Sequence, residues 1–397
     1  MTHYRIAIVT SHPIQYQAPL FRLLSQHSEI DLTVYFGHDA SLNDAVDPGF
    51  GIPITWDMPL LSGYHSVILK QNVNSFEDRG TNKQYSRLLG YLRRDRYDAV
   101  LIHGYASSLV RWAHISAWYN RVPVLLHSES ESFGQRSRAK QIARASYVLP
   151  FLHGSSAFLA IGSANYQFYR LHGVPSKKIF KVPYAVDNSF FQSEYARLLP
   201  MRDELRRKWG FSPDQPVIVF SGKLIERKRP LDLLAAYRQI RLTGINAGLL
   251  YIGDGELRSQ LEAEIAQYGL EDVKIVGFKN QSEISSVYIC GDVFVLPSRF
   301  DTWGLVVNEA MNFEMPVIVS DKVGAGYDLV KEDKTGYVFS LGDVTGLSKT
   351  LIKILRDREK QAAMGKAARR LIDEFSFDVD VSGIIDALNT VVYPSNH

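Results

Sequence analysis

Cysteine is nearly missing: Cys290 stands alone in 397 residues. No internal disulfide is available, and the chain suits a reducing compartment. Long apolar runs are missing too. Nothing reaches the roughly 18 consecutive apolar residues read as a membrane-spanning helix. The first strand pattern starts at Tyr4, ahead of which no signal peptide fits. A cytoplasmic location is the expectation. The formal net charge is only +3, which gives no reason to expect a nucleic-acid partner. Histidine, cysteine and acidic residues nowhere cluster at metal-ligand spacing, so no metal is expected. Glycine is missing at one telling place. The turn after the first strand, Ser11-His-Pro-Ile-Gln-Tyr-Gln-Ala-Pro19, has none, where a dinucleotide-binding turn carries Gly-x-Gly-x-x-Gly. An NAD oxidoreductase is set aside on that ground.

What is present is globular: 46% apolar and 22% charged residues. The length exceeds one ordinary core and suits two domains. The second half alternates strand and helix, with strands at 217–221, 249–252, 273–276, 293–296, 317–319 and 337–339. Such alternation gives a parallel sheet. The first half places strands at 5–10, 31–36, 99–102, 122–126 and 157–161, with helices at 19–27, 85–93, 107–119 and 164–171. Residues 37 to 82, rich in Gly, Pro, Asn and Asp, read as a long loop or short strands. The expected class is α/β, two Rossmann-like doubly wound domains. The expected boundaries are 1–195 and 196–375, with a linker near 188–200 and a closing segment at 376–397.

One stretch carries the most information: Val293-Phe-Val-Leu-Pro-Ser-Arg-Phe-Asp301-Thr-Trp303-Gly304-Leu305-Val306-Val-Asn-Glu309. It reads as a buried strand, a polar loop and a helix that starts at the open end of the sheet, where ligands of doubly wound folds sit. Amides at that helix start suit a phosphate. Asp301 and Glu309 would accept hydrogen bonds from hydroxyls at two ends of one ligand. The plainer alternative is that Asp301 caps the helix and Glu309 is an acid favoured by the helix dipole. Upstream, Gly222 permits close backbone approach at a strand end. Lys223 and Lys228 follow it, either as phosphate partners or as a basic surface turn. Gly253 and Gly277-Phe278 end the next two strands.

In the first half, His12, Gln15 and Tyr16 line the glycine-free turn, as acceptor-side groups or as an ordinary capping loop. His103 and His127 each end a strand. From Phe133 to Lys181 the bases Arg136, Arg138, Lys140, Arg144, Arg170, Lys177, Lys178 and Lys181 interleave with aromatics. That pattern fits an anionic membrane surface, or equally a core face with a solvated basic side.

Taken together and in order, the basic pair, Gly253-Asp-Gly255, Val276-Gly-Phe278, Pro297-Ser298, the acidic-x7-acidic spacing of Asp301 and Glu309, and Met315-Pro-Val-Ile-Val-Ser resemble the family 4 retaining glycosyltransferases. The family pattern has Glu where Asp301 stands and Arg where Lys223 stands, and its first turn often carries glycines. The resemblance implies the GT-B arrangement, two α/β domains facing a cleft, with the last helix crossing back to the first domain. It implies that Lys223, Lys228 and the amides of 303–306 stabilise a diphosphate leaving group, that Asp301 holds the donor sugar and Glu309 the ribose. His127 would face the donor sugar. Gly222, Gly253, Gly277 and Phe278 would border the donor, with His103 on the acceptor side. It implies a nucleotide-sugar donor, UDP- or GDP-linked, no other cofactor, and a saccharide or lipid-linked acceptor in polysaccharide or glycolipid synthesis. The alternative is a non-transferring GT-B protein, an epimerase or a silent sugar-binding scaffold.

Overall fold

The computed structural model describes residues 3–43, 45–47, 49–76, 80–131 and 138–393, and the backbone alone over 138–145. The chain divides into two units. The first holds Met1–Val46, Pro53–Tyr184 and Phe377–His397; the second holds Asp47–Ile52 and Ala185–Ser376.

The first unit is built on a seven-stranded sheet. In spatial order its strands are His65–Ile68, Ile30–Phe36, Tyr4–Thr10, Ala99–His103, Val124–His127, Ala157–Ala160 and Ile179–Lys181. Every pairing is parallel. Strand side chains alternate between faces. Tyr4, Ile6 and Ile8 join a core with the helices Ala18–Gln26 and Phe377–Val392, while Ala7 and Val9 join the core under Ser108–Tyr119. The closing helix thus belongs to the first unit, as anticipated. It lays Val381, Ile384, Ala387 and Leu388 on the sheet. It also approaches the edge strand closely: a Cβ at Gly383 would stand 2.0 Å from the Lys181 carbonyl oxygen.

The second unit has a six-stranded sheet, ordered Val273–Ile275, Gly248–Ile252, Val217–Ser221, Val293–Leu296, Val317–Ser320 and Gly336–Phe339. It too is wholly parallel. Its inner strands are continuous apolar runs because both faces are covered by helices. Cys290 is buried, and burial pushes its thiol up to about 12. That is a core residue, not a reactive one.

Two readings change. The stretch 188–200, expected as a linker, is the helix Asn188–Leu198, with Phe191 and Leu198 buried. Asp187 is its N-cap, accepting from the Phe190 amide at 2.9 Å. Inside the second unit the Asn188 side chain donates to the Ile372 and Phe375 carbonyls at 3.0 and 3.1 Å. The first unit's central segment ends at Tyr184 and not at the expected 195, while within 37–82 the short-strand alternative holds at the edge strand His65–Ile68.

Candidate active site

Parallel strands deliver their carboxyl ends to one edge of each sheet, and the predicted residues sit there in both units. In the second unit three glycines end three adjacent strands. The Gly222 amide donates to the Ile252 carbonyl and the Gly253 amide to the Gly277 carbonyl, both at 2.9 Å. The approach excludes side chains: a Cβ at Gly253 would fall 2.0 Å from the Gly222 oxygen, at a φ of +139°. The result is a backbone surface with no Cβ in the way.

Lys228 closes the short turn Glu226–Lys228 and lies beside this surface. The position of a Cβ on Gly222 would be 3.9 Å from its Cε. Its ammonium pairs with the Asp301 carboxylate, both groups largely buried. Ser298 Oγ donates to the same Asp301 oxygen at 3.3 Å. The Gly324 amide donates to the Asp301 carbonyl at 2.9 Å, fixing the loop against the next strand end. Gly304, at φ +95°, then starts the helix Leu305–Asn312. Leu305 and Val306 are half-buried in its first turn. Trp303 is only 3% exposed and donates from Nε1 to Asn308 Oδ1 at 2.8 Å. Its ring is therefore packing that holds the turn, not a ligand surface. Glu309, 2% exposed, accepts from the Tyr288 hydroxyl at 2.7 Å.

Lys223 goes to a different acid. Its Nζ meets Asp47 Oδ1 at 2.5 Å and lies 4.9 Å from the Phe50 ring centroid. Phe50 in turn meets Phe278 edge-on, with centroids 5.1 Å apart. Burial opposes ionisation of Asp47, but the Lys223 ammonium and the Gly49 and Phe50 amides outweigh it and hold the carboxyl below its usual range. Asp47, Phe50 and Tyr288 escaped the sequence reading. The first two lie in the long stretch after the second strand, and nothing in the spacing singled out the third.

In the first unit, side chains do the work. His103 and His127 are register partners on adjacent strands, so their rings share a face. Their Nδ1 atoms are 3.1 Å apart, which requires one to donate and the other to accept. Burial pushes His127 down to about 4, against a smaller opposing hydrogen bond to the Val182 backbone. Burial, then the His127 charge, pushes His103 well down. Both rings are neutral at pH 7. Tyr184 packs edge-on to His127 with centroids 5.6 Å apart and donates to Glu129. His12 belongs to a separate group, stacked on His38 at 5.2 Å and edge-on to Phe76 at 5.1 Å. Gln15 and Tyr16 are half-buried in the same turn. Among the described residues no group of three or more His, Cys, Asp or Glu is placed to hold a metal. Within the basic stretch, Phe133 and Arg136 and the side chains of Arg138, Lys140 and Arg144 lie outside the described residues. No described helix is long and apolar enough to cross a membrane.

Residues 201–371 match the family model described as Glycosyl transferases group 1. Over 168 residues the chain is 35% identical to the sulfoquinovosyl transferase SQD2 of Arabidopsis thaliana, a stretch covering 42% of this chain and 31% of that protein. Over 182 residues it is 31% identical to a GDP-mannose-dependent monoacylated alpha-(1-6)-phosphatidylinositol monomannoside mannosyltransferase of Corynebacterium glutamicum, covering 44% of this chain and 47% of that one. The aligned segment thus spans less than half the length of either relative. Among solved structures, Anabaena Alr3699/HepE in complex with UDP and glucose superposes with a TM-score of 0.72 at 17% identity, covering 98% of this chain and 100% of that one. Sucrose-phosphate synthase of Thermosynechococcus elongatus gives 0.72 at 18% identity, over 99% and 100%. At such identities these two likenesses speak for the fold, which is GT-B.

Proposed function

We propose that this chain, whose residues 201–371 match the group 1 glycosyl transferase model, moves a hexose from a UDP- or GDP-linked donor to a hydroxyl of a saccharide or lipid-linked acceptor, with retention at the anomeric carbon. One observation carries this reading: Lys228, Asp301 and the glycine surface converge at the start of the helix that bears Glu309. A diphosphate set beside the glycines approaches the backbone without Cβ obstruction, and finds donors in the first-turn amides of the helix Leu305–Asn312 and in an ammonium already oriented by Asp301.

The roles follow from the chemistry of the bond. As the sugar–phosphate C–O bond breaks, negative charge grows on the diphosphate. Lys228, joined by Lys223 once it leaves Asp47, stabilises that charge more than the ground state, which lowers the barrier. The acceptor oxygen attacks the same face, and its proton passes to the departing phosphate oxygen. No protein base is needed for that step. Asp301 meets donor-sugar hydroxyls, and Glu309 accepts from the nucleotide ribose. His127, neutral and held by His103, exchanges a hydrogen bond with a sugar hydroxyl. His12, Gln15 and Tyr16 serve the acceptor side. The site uses no metal, and the basic residues 170–181 lend the protein to an anionic membrane face.

The test is a thermal-shift panel of UDP-, GDP-, ADP- and CMP-sugars, followed by transfer of radiolabelled sugar from whichever donor stabilises the protein. Stabilisation by one nucleotide class, with label transferred to an acceptor, supports the reading. A shift with neither transfer nor hydrolysis would leave a sugar-binding scaffold instead.

A further inference from the structure

We infer that Tyr288 is a positioning residue for Glu309, fixing the carboxylate that discriminates ribose from deoxyribose; this rests on the reading of Glu309 as the ribose acceptor. Tyr288 ends the helix Gln281–Tyr288, and Glu309 lies in the helix Leu305–Asn312. The two helices precede and follow the strand Val293–Leu296, which leads to Asp301.

Neither partner is exposed: Tyr288 is at 0% and Glu309 at 2%. A carboxylate this buried is costly unless donors meet it. Tyr288 supplies one, to Oε2, at 2.7 Å. The phenol is itself held. Its ring stacks on Phe313 with centroids 5.4 Å apart and planes at 30°, and Phe294 packs at 6.5 Å from the other helix-strand junction. With the ring fixed, the phenol oxygen has one place to stand, so Oε2 of the carboxylate is held before any ligand arrives. Pre-set acceptors bind hydroxyls without a further ordering cost. A phenylalanine would pack as well against Phe313 and Phe294. The hydroxyl is the part that packing does not require.

The same contact would also exist if the tyrosine merely satisfied a structural glutamate, and ligand choice separates the two cases. Calorimetry would compare UDP and GDP with their 2′-deoxy and 3′-deoxy counterparts on wild type, Tyr288→Phe, Glu309→Gln and the double variant. Wild type is expected to prefer the ribonucleotide by about tenfold or more, the worth of a charge-assisted hydrogen bond. Glu309→Gln should bring that ratio close to one. Tyr288→Phe should lower it by about threefold or more with little change in melting temperature, and the double variant should match Glu309→Gln alone, since one effect acts through the other. A wild-type ratio in Tyr288→Phe beside a collapsed ratio in Glu309→Gln would overturn the positioning role and spare the reading of Glu309. An unchanged ratio in Glu309→Gln would overturn both. Should Tyr288→Phe not fold, Phe313→Leu loosens the same ring while keeping the hydroxyl, and an unchanged ratio there overturns the inference.

Discussion

Both units present parallel strand ends to a ligand edge, yet they build those edges from opposite materials. In the second unit the edge is main chain. Gly222, Gly253 and Gly277 meet through backbone hydrogen bonds, and charged side chains stand around them. In the first unit the edge is side chain: His103 against His127, Tyr184 against Glu129, His12 against His38. All 11 histidines of the sequence fall in the first unit and none in the second. Main-chain amides suit a phosphate, whose shape is the same in every donor. Side chains suit a partner whose hydroxyls differ from one acceptor to another. The first kind of edge tolerates almost no substitution, and the second tolerates exchange of one polar group for another.

The contrast breaks most easily at a glycine. In Gly253→Ala the new Cβ meets the Gly222 oxygen at 2.0 Å and the residue keeps a φ of +139°. Such strain costs about 1–3 kcal/mol before the clash is counted, so nucleotide affinity should fall by about a hundredfold. Gly104→Ala is the matched change in the first unit, at φ +80° with nothing within 4 Å of the added Cβ. It should lose about 1 kcal/mol of stability and keep nucleotide affinity. Calorimetry on both variants checks this, and equal losses would erase the distinction. Next in size is Lys228→Ala, expected to cut turnover by about a hundredfold with a smaller change in the Michaelis constant. A change in the Michaelis constant alone would remove its leaving-group role. His127→Ala should lower turnover by about tenfold while nucleotide affinity stays within about twofold, because the proposed nucleotide site lies on the other kind of edge. Surviving turnover would make the histidine structural.

The smallest effect is on stability against pH. His114 and His127 are pushed down from 6.5 to about 4 by burial, so the folded first unit binds fewer protons than its unfolded chain between those values. Their contribution is whole above about 6.5 and is lost as pH falls toward about 4. The first unit should become protease-sensitive in that window before the second, which lacks histidine. Limited proteolysis at pH 7.5 and 5.0 would read this, and simultaneous cleavage of both units at pH 5.0 would contradict it.

The second unit was the more legible because its chemistry is written in turns. A Gly-Asp-Gly at a strand end or a Gly before a helix forces a conformation that few other residues adopt. Contiguous apolar runs gave its buried strands, and Asp301 with Glu309 gave the helix between them. The first unit hides its pairings. His103 and His127 are 24 residues apart, and only the register of two parallel strands brings their rings together. Asp47 and Phe50 sit in irregular chain whose partners, Lys223 and Phe278, are far along the sequence. Tyr288 shows no polar role until Glu309 is placed against it. The helix at 188–198 was missed because the stretch lies where a linker between two domains was expected.

The closing helix Phe377–Val392 makes the first unit a host and the second a guest. The host core is not complete until the last stretch of chain has been made, since Val381, Ile384, Ala387 and Leu388 cover Tyr4, Ile6 and Ile8. During synthesis the first 184 residues must wait with that apolar face bare. The guest needs no such patience. Its entry and exit are clasped together by Asn188 on the Ile372 and Phe375 carbonyls, so the segment Ala185–Ser376, joined only by Asp47–Ile52 from the earlier chain, carries its own closure.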